Sequence, residues 1–145
     1  LSSLSYLFDE KYQELTPLLR PDMGSFEKLI YLNQELFGMI ENSISLDLLA
    51  RLYSSQLITR GEKHLLDRSR LYYRLLRQIA SEGQASGELR SDVSVNEIVK
   101  VYALCERALL YDWCICNGEY SLKGYAKTMM PMFLRELRAD CADRR

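Results

Sequence analysis

The chain has 145 residues, 48% of them hydrophobic, with seven glycines and three prolines, which excludes a tail or linker and fits one globular domain spanning 1–145. Nineteen Lys and Arg against twenty Asp and Glu leave no basic excess, so the chain by itself is not expected to grip DNA or RNA. The longest apolar runs, such as 108–115, are interrupted by Asp112 and fall short of a membrane span, and no segment resembles a signal peptide.

In chain order the pattern is helical throughout, with no convincing alternating strand. Leu4, Leu7, Phe8, Tyr12 and Leu15 make a first stripe that Pro17 and Pro21 end. Ser25 precedes a second stripe of Leu29, Leu32, Leu36, Met39 and Ile40, with Asn42 and Ser43 as its stop. A short third helix is predicted over 46–57, broken by Thr59, Arg60 and Gly61. A fourth covers 68–81, with Leu71, Leu75 and Ile79 on one side and Tyr72 and Leu76 beside them. The stretch 83–92 reads as a turn, since glycine at 83 and 87 breaks the periodicity.

Residues 95–117 form the most informative segment. Ser94 and Glu97 have the spacing of a capping box, and Asn117 and Gly118 can close the other end. Between them Ile98, Tyr102, Cys105, Leu109 and Cys116 recur on one side, and Val99, Ala103, Leu110, Trp113 and Cys114 on another. A surface helix needs one such stripe. Two predict that one face packs into the chain's own core and the other against a second copy. A last helix over 121–138 carries Leu122, Tyr125, Met129, Met132, Phe133 and Leu137, with Pro131 predicting a kink or restart near 129–131. The expected architecture is all-α, about six helices, the last two forming a four-helix bundle with a second copy. The residues expected to face that copy are Val99, Ala103, Leu109, Leu110, Trp113, Leu122, Tyr125, Met129 and Phe133.

Chemistry-bearing residues are sparse. Cys114 and Cys116 point about 200° apart on a helix, and Cys105 and Cys116 lie about 16 Å apart along it, so neither a shared metal nor a disulfide is expected. Thiols of this kind read as small buried hydrophobes in a reducing cytoplasm, with Cys141 in the polar tail the most reactive. His64 is the one histidine and reads as a surface residue. Asp112 reads as a cap or as a partner for a Lys or Arg of the facing helix. No phosphate loop, Glu-x-x-His pair or nucleophile elbow is present, so neither an enzyme nor a cofactor is expected. Glu106 interrupts an apolar run and, if buried, needs a partner, within the chain or across a dimer; Arg107 points elsewhere on the helix. Ten tyrosines include Tyr53, Tyr72, Tyr73, Tyr102 and Tyr111 in predicted helices. Most read as core or interface residues.

The segment GQASGELRSDVSVNEIVKVYALCERALLYDWCICNGEYSL resembles the C-terminal half of a TetR-family transcriptional regulator. There a Gly-Glu-Leu-Arg-x-Asp turn, here Gly87, Glu88, Leu89, Arg90 and Asp92, precedes a helix ending in Asp-Trp, here Asp112 and Trp113, and a turn with a glycine, here Gly118. The segment FDEKYQEL, 8–15, resembles the family's connecting helix. No part of the chain matches the family's N-terminal helix-turn-helix headpiece. Either the headpiece precedes this segment in a longer protein, or the domain exists without it. The resemblance implies a homodimer, DNA contact only through that headpiece, and a pocket among the middle helices whose small-molecule effector, apolar or aromatic, moves the connecting helix. Within that expectation Tyr53, Tyr72 and Tyr73 face a cavity with Tyr102, Cys105 and Glu106. The competing expectation is a helical homodimeric interaction module that senses nothing.

Overall fold

The computed structural model describes residues 2–61, 63–67 and 70–139. Within them the chain forms six α-helices: α1 (Ser2–Leu15), α2 (Ser25–Ser43), α3 (Leu46–Ile58), α4 (Leu71–Ser86), α5 (Val95–Ile115) and α6 (Leu122–Leu134). The all-helical class is as expected, and among the described residues extended pairing is confined to one bridge between Leu89 and Arg138. No described helix is long and apolar enough to cross a membrane. The expectations for the His64 side chain and for Cys141 fall outside the described residues.

Short polar side chains start three of these helices. Ser45 accepts from Leu48 N at 3.1 Å and Ser121 from Gly124 N at 3.0 Å. The predicted capping box is present, Ser94 accepting from Glu97 N at 3.1 Å while Glu97 accepts from Ser94 N at 3.2 Å. Each such cap contributes about 1 kcal/mol. Helix α2 is capped from a distance, because Glu88 accepts from Ser25 N at 2.6 Å and Phe26 N at 3.2 Å. A side chain at Gly24 would run into that carboxylate, 2.9 Å away.

Two boundaries differ from expectation. Gly83 does not end α4, which runs on to Ser86. The bare face of Gly83 admits the Leu89 side chain, which a Cβ there would meet at 2.5 Å, so the glycine serves packing and not termination. Gly87, at φ 82°, closes the helix in the left-handed region. Pro131 does not interrupt α6, which continues to Leu134 before tightening into a 3₁₀ turn at Arg135–Leu137. Met130 and Leu134, on either side of the proline, are both fully buried. Their packing holds the last turn in spite of the missing donor.

Helix α2 packs against α1, α4 and α6, and α5 packs against α3, α4 and α6. The core therefore lies between α2, α4 and α5, where Leu32, Phe37, Leu76, Ile79, Ile98 and Tyr102 are buried. This arrangement corrects the assignment of faces on α5. Val99, Ala103, Leu109, Leu110 and Trp113, together with Leu122 of α6, are buried in the chain's own core and offer no surface to a second copy. With α3, α4 and α6 all against one helix, both apolar stripes are used internally. Of the residues expected to face a partner, Tyr125 and Phe133 are exposed and Met129 is half-buried.

A third stripe is left on the outside of α5. Leu104, Tyr111 and Ile115 are exposed large hydrophobics, Tyr111 at 63%, with Ala108 exposed and Val101 half-buried between them. Positions 101, 104, 108, 111 and 115 alternate steps of three and four, the spacing of a bundle seam. On α6 Tyr125, Met132 and Phe133 are likewise exposed. The two faces adjoin at one end, where Val101 and Phe133 line one shallow cleft.

Candidate functional site

The chain encloses one polar cluster deep in its core, built around Glu106. This carboxylate is 3% exposed. Its Oε1 accepts from Tyr72 OH at 2.6 Å and its Oε2 from Asn33 Nδ2 at 3.0 Å, so its partners lie within the chain and not across a dimer. Burial pushes the Glu106 carboxyl above the ordinary value, while the hydrogen bonds from Asn33 and Tyr72 and the charge of Arg107 oppose the shift. Burial, reinforced by the Glu106 carboxylate, also raises the pKa of Tyr12, Tyr72 and Tyr102 well above the usual phenol value. These hydroxyls remain neutral donors at physiological pH.

A cavity of about 40 Å³ adjoins this cluster. Phe8 and Tyr12 of α1, Leu36 and Ile40 of α2 and Tyr53 of α3 close part of it; Leu65, Arg70, Tyr72 and Tyr73 close a second part, and Glu106, Arg107 and Leu110 of α5 the remainder. Among the residues expected at a ligand site, Tyr53, Tyr72, Tyr73 and Glu106 come together here. Tyr102 is fully buried behind them, its hydroxyl donating to Leu29 O at 3.1 Å, and Cys105 is half-exposed and outside the lining. The tyrosines are mutually packed, Tyr72 lying 4.8 Å from Tyr73 and 5.2 Å from Tyr12 between ring centroids.

Three participants were not singled out from the sequence. Asn33 is a polar residue on the apolar stripe of α2, the one signal that could have marked it; its Oδ1 is buried without a partner. Tyr12 counts as core in the first stripe, yet its hydroxyl is buried and unpartnered at the cavity. Arg70, at the entry to α4, is buried, donates from Nη1 to Leu65 O at 3.1 Å and has Nε 3.7 Å from Asp9 Oδ1. Arg107, set aside as pointing away from Glu106, lines the same cavity and donates to Tyr73 OH at 3.4 Å.

The volume limits what this cavity does as it stands. Space of about 40 Å³ exceeds the roughly 10–15 Å³ that one water needs and falls far below the roughly 300–1,000 Å³ of sites for drug-sized ligands. In this conformation it is a solvent-sized void with convergent polar groups. A larger occupant requires the surrounding side chains to move.

The turn that carries the family resemblance is structural. Arg90 donates to both oxygens of Asp92, at 2.6 and 2.7 Å, and to Glu136 O at 3.0 Å, which ties the turn to the end of α6. Trp113 donates from Nε1 to Tyr120 O at 2.8 Å, and Asn117 and Gly118, at φ 56° and 68°, turn the chain between α5 and α6. Asp112 takes the Tyr120 hydroxyl instead of a Lys or Arg. Cys105, Cys114 and Cys116 are half-exposed free thiols, not the buried hydrophobes expected. Among the described residues no group of three His, Cys, Asp or Glu could hold a metal ion. Comparisons with protein-family models, with curated protein sequences and with solved structures found no match.

Proposed function

We propose that the chain is the dimerising, effector-responsive domain of a cytoplasmic TetR-like transcriptional regulator, which contacts DNA only through a headpiece N-terminal to it. The observation that carries this is the uncovered apolar face running across α5 and α6, from Val101, Leu104, Ala108, Tyr111 and Ile115 to Tyr125, Met132 and Phe133. A contiguous apolar patch of this kind, on a chain whose core is complete without it, marks a contact surface. Two such helix pairs related by a two-fold axis make a four-helix bundle, and the same residues then serve both copies.

Supporting the effector role, the polar cavity reaches α1 through Phe8 and Tyr12. Helix α1 resembles the family's connecting helix, so a ligand that widened the cavity would act on the element leading to the headpiece. A second reading, a homodimeric helical module that binds no ligand, is favoured by the small volume of that cavity. Sedimentation of the purified chain at micromolar concentration tests the dimer. A dimer is expected, burying at least about 1,000 Å² in total, and a monomer would remove the basis of the proposal. The coding sequence upstream of Leu1 tests the regulator: it is expected to encode a three-helix headpiece with a helix-turn-helix.

A further inference from the structure

Outside the cavity, a cleft of about 340 Å³ follows the groove between α4 and α5, lined among others by Arg77, Lys100 and Arg107 over a floor of Val99 and Ala103. Tyr73 and Arg107 line both spaces. The wall between them is these two side chains, joined by a long hydrogen bond of 3.4 Å from Arg107 Nη1 to Tyr73 OH.

Charge in the cleft is mainly positive, Arg77, Lys100 and Arg107 against the one carboxylate of Glu97. None of Arg77, Lys100 and Arg107 forms an ion pair among the described residues. The carboxylate in the cleft, Glu97, is engaged at the start of α5 by Ser94 N. Inside, the Glu106 oxygens accept from Tyr72 and Asn33, and its charge acts on Arg107 without forming an ion pair with it among the described residues. The Tyr12 hydroxyl and Arg70 Nε, both buried without a hydrogen-bond partner, belong to residues that line the inner space.

We propose that the cavity and the cleft are two halves of one site for an amphipathic carboxylate, the effector in the reading above, on which this assignment rests. The carboxylate pairs with the Arg107 guanidinium, whose planar fork matches it, with Arg77 and Lys100 adding attraction from the cleft. The apolar or aromatic body passes between Tyr73 and Arg107 once their long bond opens, and seats against Phe8, Leu36, Ile40 and Leu110. The inner half is too small on its own, and the outer half supplies the charged end and most of the volume. Joined, they reach the size of an ordinary ligand site with an apolar end and a charged end. Because Phe8 and Tyr12 belong to α1, the body of the ligand presses on that helix directly.

Calorimetric titration of the chain with three matched probes tests this: 4-phenylbutyrate, its neutral amide 4-phenylbutanamide and the cation 4-phenylbutylamine. The carboxylate is expected to bind at least tenfold more tightly than the amide, and the amine most weakly. Arg107→Gln should remove the tenfold preference for the carboxylate over the amide, and Arg77→Gln, on the rim, should reduce that preference by a smaller factor. Tightest binding by the amine or the amide would overturn the anion assignment and leave an effector site standing. Carboxylate affinity unchanged in both variants would place the ligand elsewhere and overturn the proposal. Binding of none of the three at millimolar concentration would overturn the two-part site, while the dimeric regulator would still stand or fall on sedimentation and the upstream sequence.

Discussion

On its inner sides α5 presents Leu109, Leu110 and Trp113 to neighbours in the same chain, whereas on its outer side Leu104, Tyr111 and Ile115 remain exposed. The residue types are alike, and nothing in the hydrophobicity of leucine or isoleucine says which of them a partner will cover. What separates the two regions is the position of other helices: α3, α4 and α6 pack against α5, and the sector they leave open is the one at 101, 104, 108, 111 and 115. An internal face fails by unfolding when it is damaged. A contact face fails by dissociation.

That difference is open to direct attack, and the largest effect is expected inside. Leu109 is 4% exposed and part of the hydrophobic core, so Leu109→Asp places a carboxylate among apolar side chains. Upwards of about 3 kcal/mol of stability should be lost, a large share of what a domain of this size has. Far-UV circular dichroism at room temperature should show a largely unfolded chain. A variant that keeps its melting temperature would mean that Leu109 faces outward after all.

On the outer face the same chemistry should leave the fold alone. Ile115→Asp is expected to keep helical content and melting behaviour at low concentration while weakening self-association by about 2 kcal/mol, roughly thirtyfold. Sedimentation equilibrium read beside circular dichroism separates the two quantities. Loss of helix in this variant, or a dimer of unchanged affinity, would erase the distinction between the two sides of α5.

Much of the fold was legible because local chemistry and tertiary structure agree. The start of α5 follows from the Ser94 hydroxyl, which satisfies a backbone N–H three residues on and needs no knowledge of the rest of the chain. The boundaries that misled depend on distant partners: Gly83 stays helical because Leu89 packs onto it, and α6 passes Pro131 because Met130 and Leu134 are fully buried. The candidate site divides in the same way. Glu106 was legible as a charge in an apolar run, and Tyr72 and Tyr73 as neighbours on a core helix. Asn33 and Tyr12 come from two other segments and Arg70 from the entry to α4, so only the folded chain brings them to Glu106. The seam at 101 to 115 is masked in the sequence for a different reason: two denser stripes on the same helix suffice to assign a core and a partner.

A third change probes a contact on which the inner packing depends. Glu88 caps α2 from the turn after α4, accepting from Ser25 N and Phe26 N. Removing it in Glu88→Ala leaves two amide donors at the helix start without that partner and gives up a charge at the positive end of the helix. A loss of about 1–2 kcal/mol is expected. The urea midpoint should fall with an unchanged slope, and an unchanged midpoint would mean that the cap is replaced by water at no cost.

The smallest effect expected concerns the carboxylate buried in the inner region, and its sign is the informative part. Burial raises the Glu106 carboxyl above its ordinary value of 4.5, so between that value and the raised one the folded chain binds a proton that the unfolded chain has released. Stability contributed by this group is then fully present below 4.5 and is lost as pH rises through the raised value. Glu106→Gln cannot titrate and should remove that share of the slope, which for a single proton is at most about 1.4 kcal/mol per pH unit. The glutamine can keep the Tyr72 bond, and its amide can donate to the unpartnered Asn33 Oδ1 once the Asn33 amide turns over. Tyr12, Tyr72 and Tyr102 do not blur the comparison, because their own pKa values are raised away from the range in question. Urea unfolding from pH 5 to pH 8 should therefore show the variant gaining on the native chain as pH rises, with the curves drawing together toward pH 5. Parallel curves would mean that Glu106 keeps an ordinary pKa in the core, and a variant that loses ground as pH rises would mean that its carboxylate is held by more positive charge than Arg107 supplies.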